Sequence, residues 1–252
     1  KIKKNKNKKS NKKSNKQSLK SSLKFHFYDD KKYNFEGISL NPIKIMCTDR
    51  IVCHKVPDLY DENIKKHKVI KLTNEYTKKI SNSALRTYIK FRTNILYLSK
   101  DLDFDPRAGL TYAQIKNLSD PNIEKSIVGF DMDSTLHQTS FFTFSNSIKE
   151  YMNNLSNLTN HKITYNDMGE YYFGGKNRLK LITHMFKNLS EKIGIENIYI
   201  LTRNSNANLK NLVIELYYNL FNIKFKRNNI ISSTGPTNKF DDIQKILQKN
   251  YS

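Results

Sequence analysis

Apolar runs and helical apolar spacing alternate along the second half of the chain. Three short apolar runs, at residues 127–130, 198–201 and 230–231, have the form of buried strands. Around them, apolar residues recur every three or four positions, which is typical of amphipathic helices. These helical stretches cover residues 144–155, 179–189, 209–220 and 243–247. Short strands separated by helices predict an α/β fold, with a parallel sheet covered by helices on both faces.

The first half of the chain is less regular. Residues 1–24 hold eleven lysines and no acid, with three apolar side chains, and are predicted to form a disordered Lys/Asn/Ser-rich basic arm. Residues 25–100 form a mixed region, in which apolar spacing predicts a long helix over about 73–98. Residues 101–124, with two prolines and a glycine, are interpreted as a connector to the α/β domain at 125–252.

The composition excludes several classes of protein. A hydrophobic content of 37% with fifteen Tyr and fourteen Phe is incompatible with a wholly disordered chain. No run of about 18 apolar residues is present, so a membrane-spanning helix is excluded. Two cysteines do not make a disulfide framework and nothing resembles a secretory signal, so an intracellular reducing compartment is expected.

The positive charge is the second feature of the composition. Lys and Arg number 44 against 23 Asp and Glu, a formal net charge of +21, and the basic arm carries eleven of these charges. Such an arm is attracted to nucleic acid, to an anionic membrane surface or to an import receptor. The alternative is a compositional habit, because Lys and Asn are abundant throughout the chain. No zinc-finger spacing or aromatic RNA-binding motif indicates sequence-specific recognition.

Two carboxylates, Asp131 and Asp133, follow the first predicted strand. Ligands of parallel α/β sheets bind beyond the carboxyl ends of the strands, which is where these acids stand. If the chain turns sharply after Asp131, both carboxylates reach one site, where one can attack an electrophile and the other can move a proton. Together they offer the hard oxygen ligands that Mg²⁺ prefers.

The ends of the next two strands add groups suited to phosphate. Thr202 ends the second strand and is followed by Arg203, Asn204 and the amino end of a helix, which favours anions. Lys239 opens the last helix, where its ammonium can neutralise a phosphoryl group. Each has a plainer interpretation as well, since Thr202 can cap a helix and Lys239 can be one surface lysine among many.

The run IVGFDMDSTL resembles the first motif of the haloacid dehalogenase (HAD) superfamily, in which a hydrophobic strand leads into Asp-x-Asp-x-Thr. IYILTR is similar to the second motif, and Lys239 in TNKFDDI matches the third-motif lysine. The resemblance covers about residues 125–252. Residues 171–186 and the LTRN turn look like uncharacterised HAD-like proteins of giant DNA viruses, and the Lys/Asn-rich composition suits an AT-rich viral genome, with the host cytoplasm or a virion as its location.

The resemblance implies a Mg²⁺-dependent phosphatase. Asp131 is the implied nucleophile, which forms an aspartyl-phosphate, and Asp133 is the implied acid and base. Thr202 and Lys239, with Arg203 and Asn204 beside them, are the implied phosphate-binding residues. The implied protein ligands of Mg²⁺ are Asp131 and the main-chain carbonyl of Asp133. The stretch at about 137–195 has room for a small helical cap, which leaves the site open to bulky phosphorylated substrates.

One departure from the family concerns its fourth motif, one or two Asp at the end of a further strand that follows the lysine. The chain ends thirteen residues after Lys239, and Asp241 and Asp242 lie in the predicted last helix. The sequence therefore predicts either a truncated chain that lacks its last strand or weak metal binding. The alternative function is a catalytically impaired HAD-fold binding or structural module, for example in a virion, whose basic arm contacts nucleic acid.

Overall fold

The structure is a computed structural model, and it describes eight stretches of the chain. These are residues 23–30, 50–56, 109–119, 126–137, 146–159, 162–204, 206–232 and 239–251. Residues 1–22 of the predicted basic arm, the helix expected over about 73–98 and residues 101–108 of the connector lie outside the described residues.

A parallel sheet of five strands forms the centre of the described fold. The strands are β1 (Lys24–Asp29), β2 (Ile51–Lys55), β3 (Ser126–Asp131), β4 (Ile198–Thr202) and β5 (Ile230–Ser232). Their order across the sheet is β2-β1-β3-β4-β5, and every pairing is parallel. The predicted α/β class is confirmed, and the three predicted strands correspond to β3, β4 and β5.

Six α-helices accompany the sheet within the described residues. They are α1 (Tyr112–Ser119), α2 (Ile148–Thr159), α3 (Tyr165–Phe173), α4 (Lys176–Ile193), α5 (Leu209–Phe221) and α6 (Lys239–Tyr251). Short 3-10 turns at Ile195–Asn197 and Arg227–Asn229 lead into β4 and β5. None of the helices that the structure describes has the length and apolar character needed to cross a bilayer.

Two helix starts show how the sequence sets the element boundaries. The Thr111 hydroxyl accepts a hydrogen bond from the main-chain N–H of Gln114, and the Gln114 side-chain oxygen accepts one from the main-chain N–H of Thr111. Helix α1 therefore begins with a capping box. Thr164 and Asp167 form the same reciprocal pair before α3. That helix ends at Gly174, whose φ of 84° is a left-handed conformation that glycine adopts without strain.

The sheet carries a separate apolar cluster on each face. The smaller cluster joins Phe25 and Phe27 of β1 to Ile243 and its neighbours on α6, while the larger one packs β3 and β4 against α1, α2, α3, α4 and α5. Gly129 in β3 is required by this packing, because a Cβ there would lie 2.6 Å from the Phe25 ring and 2.9 Å from Leu201. The central strand β3 is buried along its whole length, which explains its continuous apolar run.

Strands β1 and β2 come from the region that the sequence analysis treated as separate from the α/β domain. β1 lies between β2 and β3, so the mixed region supplies two of the five strands. Its sequence KFHFYD alternates apolar and polar residues and lacks the continuous apolar run by which the other strands were recognised. The part of the sheet on one side of β3 is therefore built from strands that come much earlier in the sequence.

Candidate metal and phosphate site

Three carboxylates meet at the carboxyl edge of the sheet. β1 ends at Asp29, followed by Asp30, and the neighbouring strand β3 ends at Asp131. Oxygen atoms of the three side chains lie within 4.8 Å of one another, and all three residues are buried. This group, the three-acid cluster, can hold a metal ion.

The strand register explains why these acids converge. β1 and β3 pair in parallel up to Tyr28 opposite Phe130, so Asp29 and Asp131 stand one residue beyond that pair. Side chains alternate along a strand, which places Asp29 on the same side as Phe27, the side covered by α6. The first residue of α6 is thus within reach of both carboxylates.

That first residue is Lys239, and its ammonium bridges two acids of the cluster. The Lys239 Nζ donates to Asp29 Oδ2 at 2.8 Å and to Asp131 Oδ1 at 2.5 Å. The residue is 3% exposed, so it is not a surface lysine. Burial by itself lowers the pKa of Lys239, but the charges of Asp131 and Asp29 outweigh burial and raise it above its usual value. The ammonium therefore stays charged.

The cluster holds more negative charge than this ammonium can balance. Burial raises the pKa of Asp131 well above its usual value, the charges of Asp29 and Asp30 add to that rise, and Lys239 opposes it. Ionising all three carboxylates beside a single ammonium would leave an excess of negative charge, which a divalent cation would neutralise. The donor set is carboxylate oxygen alone, which suits hard cations such as Mg²⁺, Ca²⁺ and Mn²⁺.

A tight turn after β3 carries the second predicted acid, Asp133. The Leu136 N–H bonds to Asp131 O at 3.3 Å and the His137 N–H to Met132 O at 2.9 Å, so the chain reverses within a few residues. Ser134 has a φ of 64°, a left-handed conformation that is uncommon for serine. We call residues 131–137 the nucleophile turn, after the role that the family resemblance implies for Asp131.

The carboxylate of Asp133 lies outside the three-acid cluster in the part of the chain that the structure describes. It is half-buried, and its charge adds to burial in raising the pKa of the Tyr217 phenol. Of the two carboxylates that the sequence analysis expected at one site, that of Asp131 therefore lies with the other acids and that of Asp133 does not.

Thr202 stands at the same sheet edge, because Asp131 pairs with Leu201 and Thr202 is the next residue. It is buried, and its Oγ1 accepts the Asn204 N–H at 3.1 Å, which fixes the hydroxyl oxygen at the strand end. The Asn204 carbonyl accepts the Ser232 hydroxyl, so this turn is also tied to β5. Arg203 is exposed, and Asn204 contributes its main chain to the turn.

Sequence analysis missed Asp29 and Asp30, and a local signal for them existed. The segment FHFYDD is a hydrophobic strand ending in two acids, the form expected of the fourth family motif. These two acids precede Asp131 in the sequence, and the pairing of β1 with β3 brings them to the same edge of the sheet.

The site combines three carboxylates, an ammonium and a hydroxyl at one edge of a parallel sheet. Such an arrangement can bind a phosphoryl group together with a divalent metal. No protein-family model, curated protein or solved structure matches the chain.

Proposed function

We propose that this protein is a Mg²⁺-dependent phosphohydrolase of the HAD type. The observation that carries the proposal is Lys239, whose ammonium joins Asp29 to Asp131 within the buried three-acid cluster. Asp131 and Thr202 end neighbouring strands and Lys239 opens α6, which supports their assignment to the first three motifs. The pair of acids at the end of β1 takes the part of the fourth motif.

The order of these elements along the chain differs from the family order. In the family the acidic strand end follows the lysine, and here it precedes Asp131 by about a hundred residues. Moving the last element of the family order to the front gives the order of this chain, so we infer a circular permutation. The spatial arrangement of the site is unchanged by such a move, because β1 still lies beside β3.

The reaction follows two displacements at phosphorus. An Asp131 oxygen attacks, the bond from phosphorus to the ester oxygen breaks, and Asp133 gives its proton to the departing oxygen. Water, losing a proton to Asp133, then attacks the aspartyl-phosphate. The bond to Asp131 breaks, inorganic phosphate leaves, and both carboxyl groups return to their starting states.

The remaining residues balance charge and hold the substrate. Asp29, Asp30 and Asp131 would hold the Mg²⁺ ion, which supplies positive charge where an anionic substrate approaches an anionic nucleophile. The Lys239 ammonium and the Thr202 hydroxyl would bind phosphoryl oxygens, whose charge grows during transfer. Lys239 also keeps Asp131 oriented through their 2.5 Å contact.

The test is phosphatase turnover with and without Mg²⁺ in the wild type and in Asp131→Asn. p-Nitrophenyl phosphate, a phosphopeptide and a 5′-phosphorylated oligonucleotide serve as substrates of increasing bulk. We expect Mg²⁺-dependent turnover that falls by more than about 10³-fold in Asp131→Asn. Asp241→Asn, the same chemical change at an exposed acid of α6, should leave turnover unchanged.

A wild type that binds Mg²⁺ but hydrolyses none of these substrates would contradict the proposal and favour the binding-module alternative. Equal turnover in Asp131→Asn and the wild type would instead exclude Asp131 as nucleophile. Trapping the aspartyl-phosphate with a hydride reagent at Asp131 provides evidence independent of rate.

A further inference from the structure

A buried guanidinium lies behind the nucleophile turn. Arg178, in the first turn of α4, is 2% exposed. Its Nη1 donates to Phe173 O at 2.9 Å and to Leu136 O at 3.0 Å, and its Nη2 lies 3.4 Å from both Leu110 O and Thr135 O. Every acceptor among the described residues is a main-chain carbonyl.

These carbonyls belong to three separate segments. Thr135 and Leu136 lie in the nucleophile turn, Phe173 ends α3, and Leu110 precedes α1. The Leu110 N–H also donates to Thr135 O at 3.0 Å, which closes the same junction. One side chain therefore holds the carbonyls of Thr135 and Leu136. The same turn carries the two proposed catalytic carboxylates at its start.

The junction leaves no room for a side chain at position 109. Gly109 has a φ of 84°, and a Cβ there would lie 2.7 Å from both Arg178 Nη2 and Thr135 O. A side chain at position 109 would displace either the guanidinium or the turn. The close approach of this segment is thus part of the same restraint.

The choice of a guanidinium has a physical reason. Burial lowers the pKa of Arg178 to about 9, so the group stays charged near neutral pH despite its desolvation. Its planar fork offers five N–H donors in fixed directions, whereas an ammonium cannot reach four carbonyls on three segments at once. Its acceptors are main-chain carbonyl dipoles, so the role of the guanidinium is to hold these segments in position.

We propose that Arg178 is a positioning residue for the proposed phosphohydrolase: it holds the nucleophile turn and thereby fixes Asp133 relative to Asp131. The inference rests on the proposed function for its catalytic consequence. Its structural part, the restraint on residues 131–137, does not depend on turnover.

The experiment compares Arg178→Lys with Asn229→Ala. Asn229 is a matched control, because its buried Nδ2 donates to the main-chain carbonyls of Ile195, Glu196 and Ile198, at the opposite edge of the sheet. Gly109→Ala is a second test variant that keeps every polar group and crowds Arg178 and the turn. Readouts are amide exchange at Leu136 and His137, Mg²⁺ affinity, and kcat and KM per folded molecule.

We expect exchange at His137 to be at least about 10-fold faster in Arg178→Lys and Gly109→Ala and unchanged in Asn229→Ala. We expect kcat to fall about 10- to 100-fold in the same two variants, with KM and Mg²⁺ affinity unchanged. Gly109→Ala decides the question if Arg178→Lys does not fold.

The proposal is overturned if amide exchange at His137 in Arg178→Lys and Gly109→Ala changes no more than it does in Asn229→Ala. Faster exchange with unchanged kcat overturns the positioning role. A wild type without turnover contradicts the proposed function instead, and faster exchange in the two variants then still supports the restraint on the turn.

Discussion

At the scale of single residues, the central feature is the charge balance around Asp131. Its carboxylate shares a buried space with Asp29 and Asp30 and contacts one ammonium at 2.5 Å. Buried charges are stabilised only by partners, and each partner here comes from a different strand or helix. Changes in pH, metal or Lys239 should therefore act directly on folding stability.

The first prediction concerns pH. The pKa of Asp131 is raised above its usual 3.8, so the folded protein holds this proton more tightly than the unfolded chain. Stability without metal then falls as pH rises from about 3.8 toward the folded-state pKa. The raised pKa of Lys239 adds stability, and this contribution is lost only as pH rises above the usual 10.5, outside this range.

Mg²⁺ binds the ionised carboxylates, so it offsets this loss. We expect the rise in Tm on adding Mg²⁺ to increase from about pH 5 to about pH 8, as measured by thermal unfolding. Asp131→Asn should flatten the dependence. A rise in Tm that is the same across the range would contradict the assignment of the cluster.

The second prediction concerns Lys239→Met, which keeps a long side chain and removes the ammonium. Buried carboxylates then lose their partner, and the free energy of unfolding without metal should fall by about 3 kcal/mol. Mg²⁺ should recover part of the loss. Lys245 is an exposed lysine of α6, so Lys245→Met should change the free energy of unfolding in urea little. Equal effects of the two substitutions would contradict the role assigned to Lys239.

The residues of the site could be predicted only in part from the sequence. Asp131, Thr202 and Lys239 each follow a recognisable strand or open a helix, so their positions followed from local pattern. Asp29 shares the local pattern, but its contact with Lys239 spans 210 positions. Which strand neighbours β3 is decided by packing across the sheet, and no local spacing records it.

At the scale of elements, Glu215 of α5 links α2 and α3, two of the three helices in the stretch predicted as a cap. Its carboxylate accepts the Ile148 and Lys149 N–H groups at the start of α2, both at 3.0 Å, and the Tyr165 hydroxyl of α3 at 2.8 Å. A carboxylate at a helix amino end satisfies free N–H groups and complements the helix dipole. The two helices are thus fixed on α5.

The third prediction is that Glu215→Ala lowers the free energy of unfolding by about 1–2 kcal/mol, because two helix-end N–H groups lose their acceptor. Burial, aided by the hydrogen bond and charge of Glu215, raises the pKa of Tyr165 to about 12. In the variant this pKa should move back toward 10, as followed by phenolate absorbance.

Glu191→Ala, at an exposed acid of α4, is the matched control for this prediction. It should alter neither the urea midpoint nor the titration of Tyr165. A Tyr165 pKa that stays near 12 without Glu215 would mean that burial alone sets it.

Element types were easier to predict than element partners. Buried strands with continuous apolar runs, such as β3 and β4, were recognised, and so were helices with regular apolar spacing. β1 escaped because His26 interrupts its apolar run, although Phe25 and Phe27 pack tightly on one face. Alternating patterns are shared by solvent-exposed and half-buried strands, which leaves their place in a sheet open.

At the scale of the whole molecule, the sheet order and the chain order disagree. β1 comes first in the sequence yet lies second in the sheet, between β2 and β3. The neighbouring strands β1 and β3, which end at Asp29 and Asp131, are therefore far apart in the sequence. This is the arrangement expected if the family order is circularly permuted.

The fourth prediction follows from that arrangement. A chain that begins at residue 57, runs to Ser252 and continues through a long flexible linker into residues 1–56 restores the family order of the motifs. It breaks the chain just after Val56, beyond the end of β2, and leaves every described strand intact. We expect it to fold and to keep Mg²⁺ binding and any turnover of the wild type.

Circular dichroism, thermal unfolding and Mg²⁺ titration provide the measurements. A chain broken between Val128 and Gly129, inside the central strand, is the control and should not fold. Failure of the first permuted chain alongside soluble, folded wild type would count against permutation as the relation to the family.

The distance in sequence between Asp29 and Lys239 also has a consequence for synthesis on the ribosome. The nascent chain exposes the β1 acids first, the Asp131 acid about a hundred residues later and Lys239 about a hundred residues after that. Until Lys239 has been synthesised, these carboxylates lack the ammonium that they contact in the folded protein. The site therefore forms late in synthesis, and a divalent cation bound by the carboxylates would favour folding of the sheet.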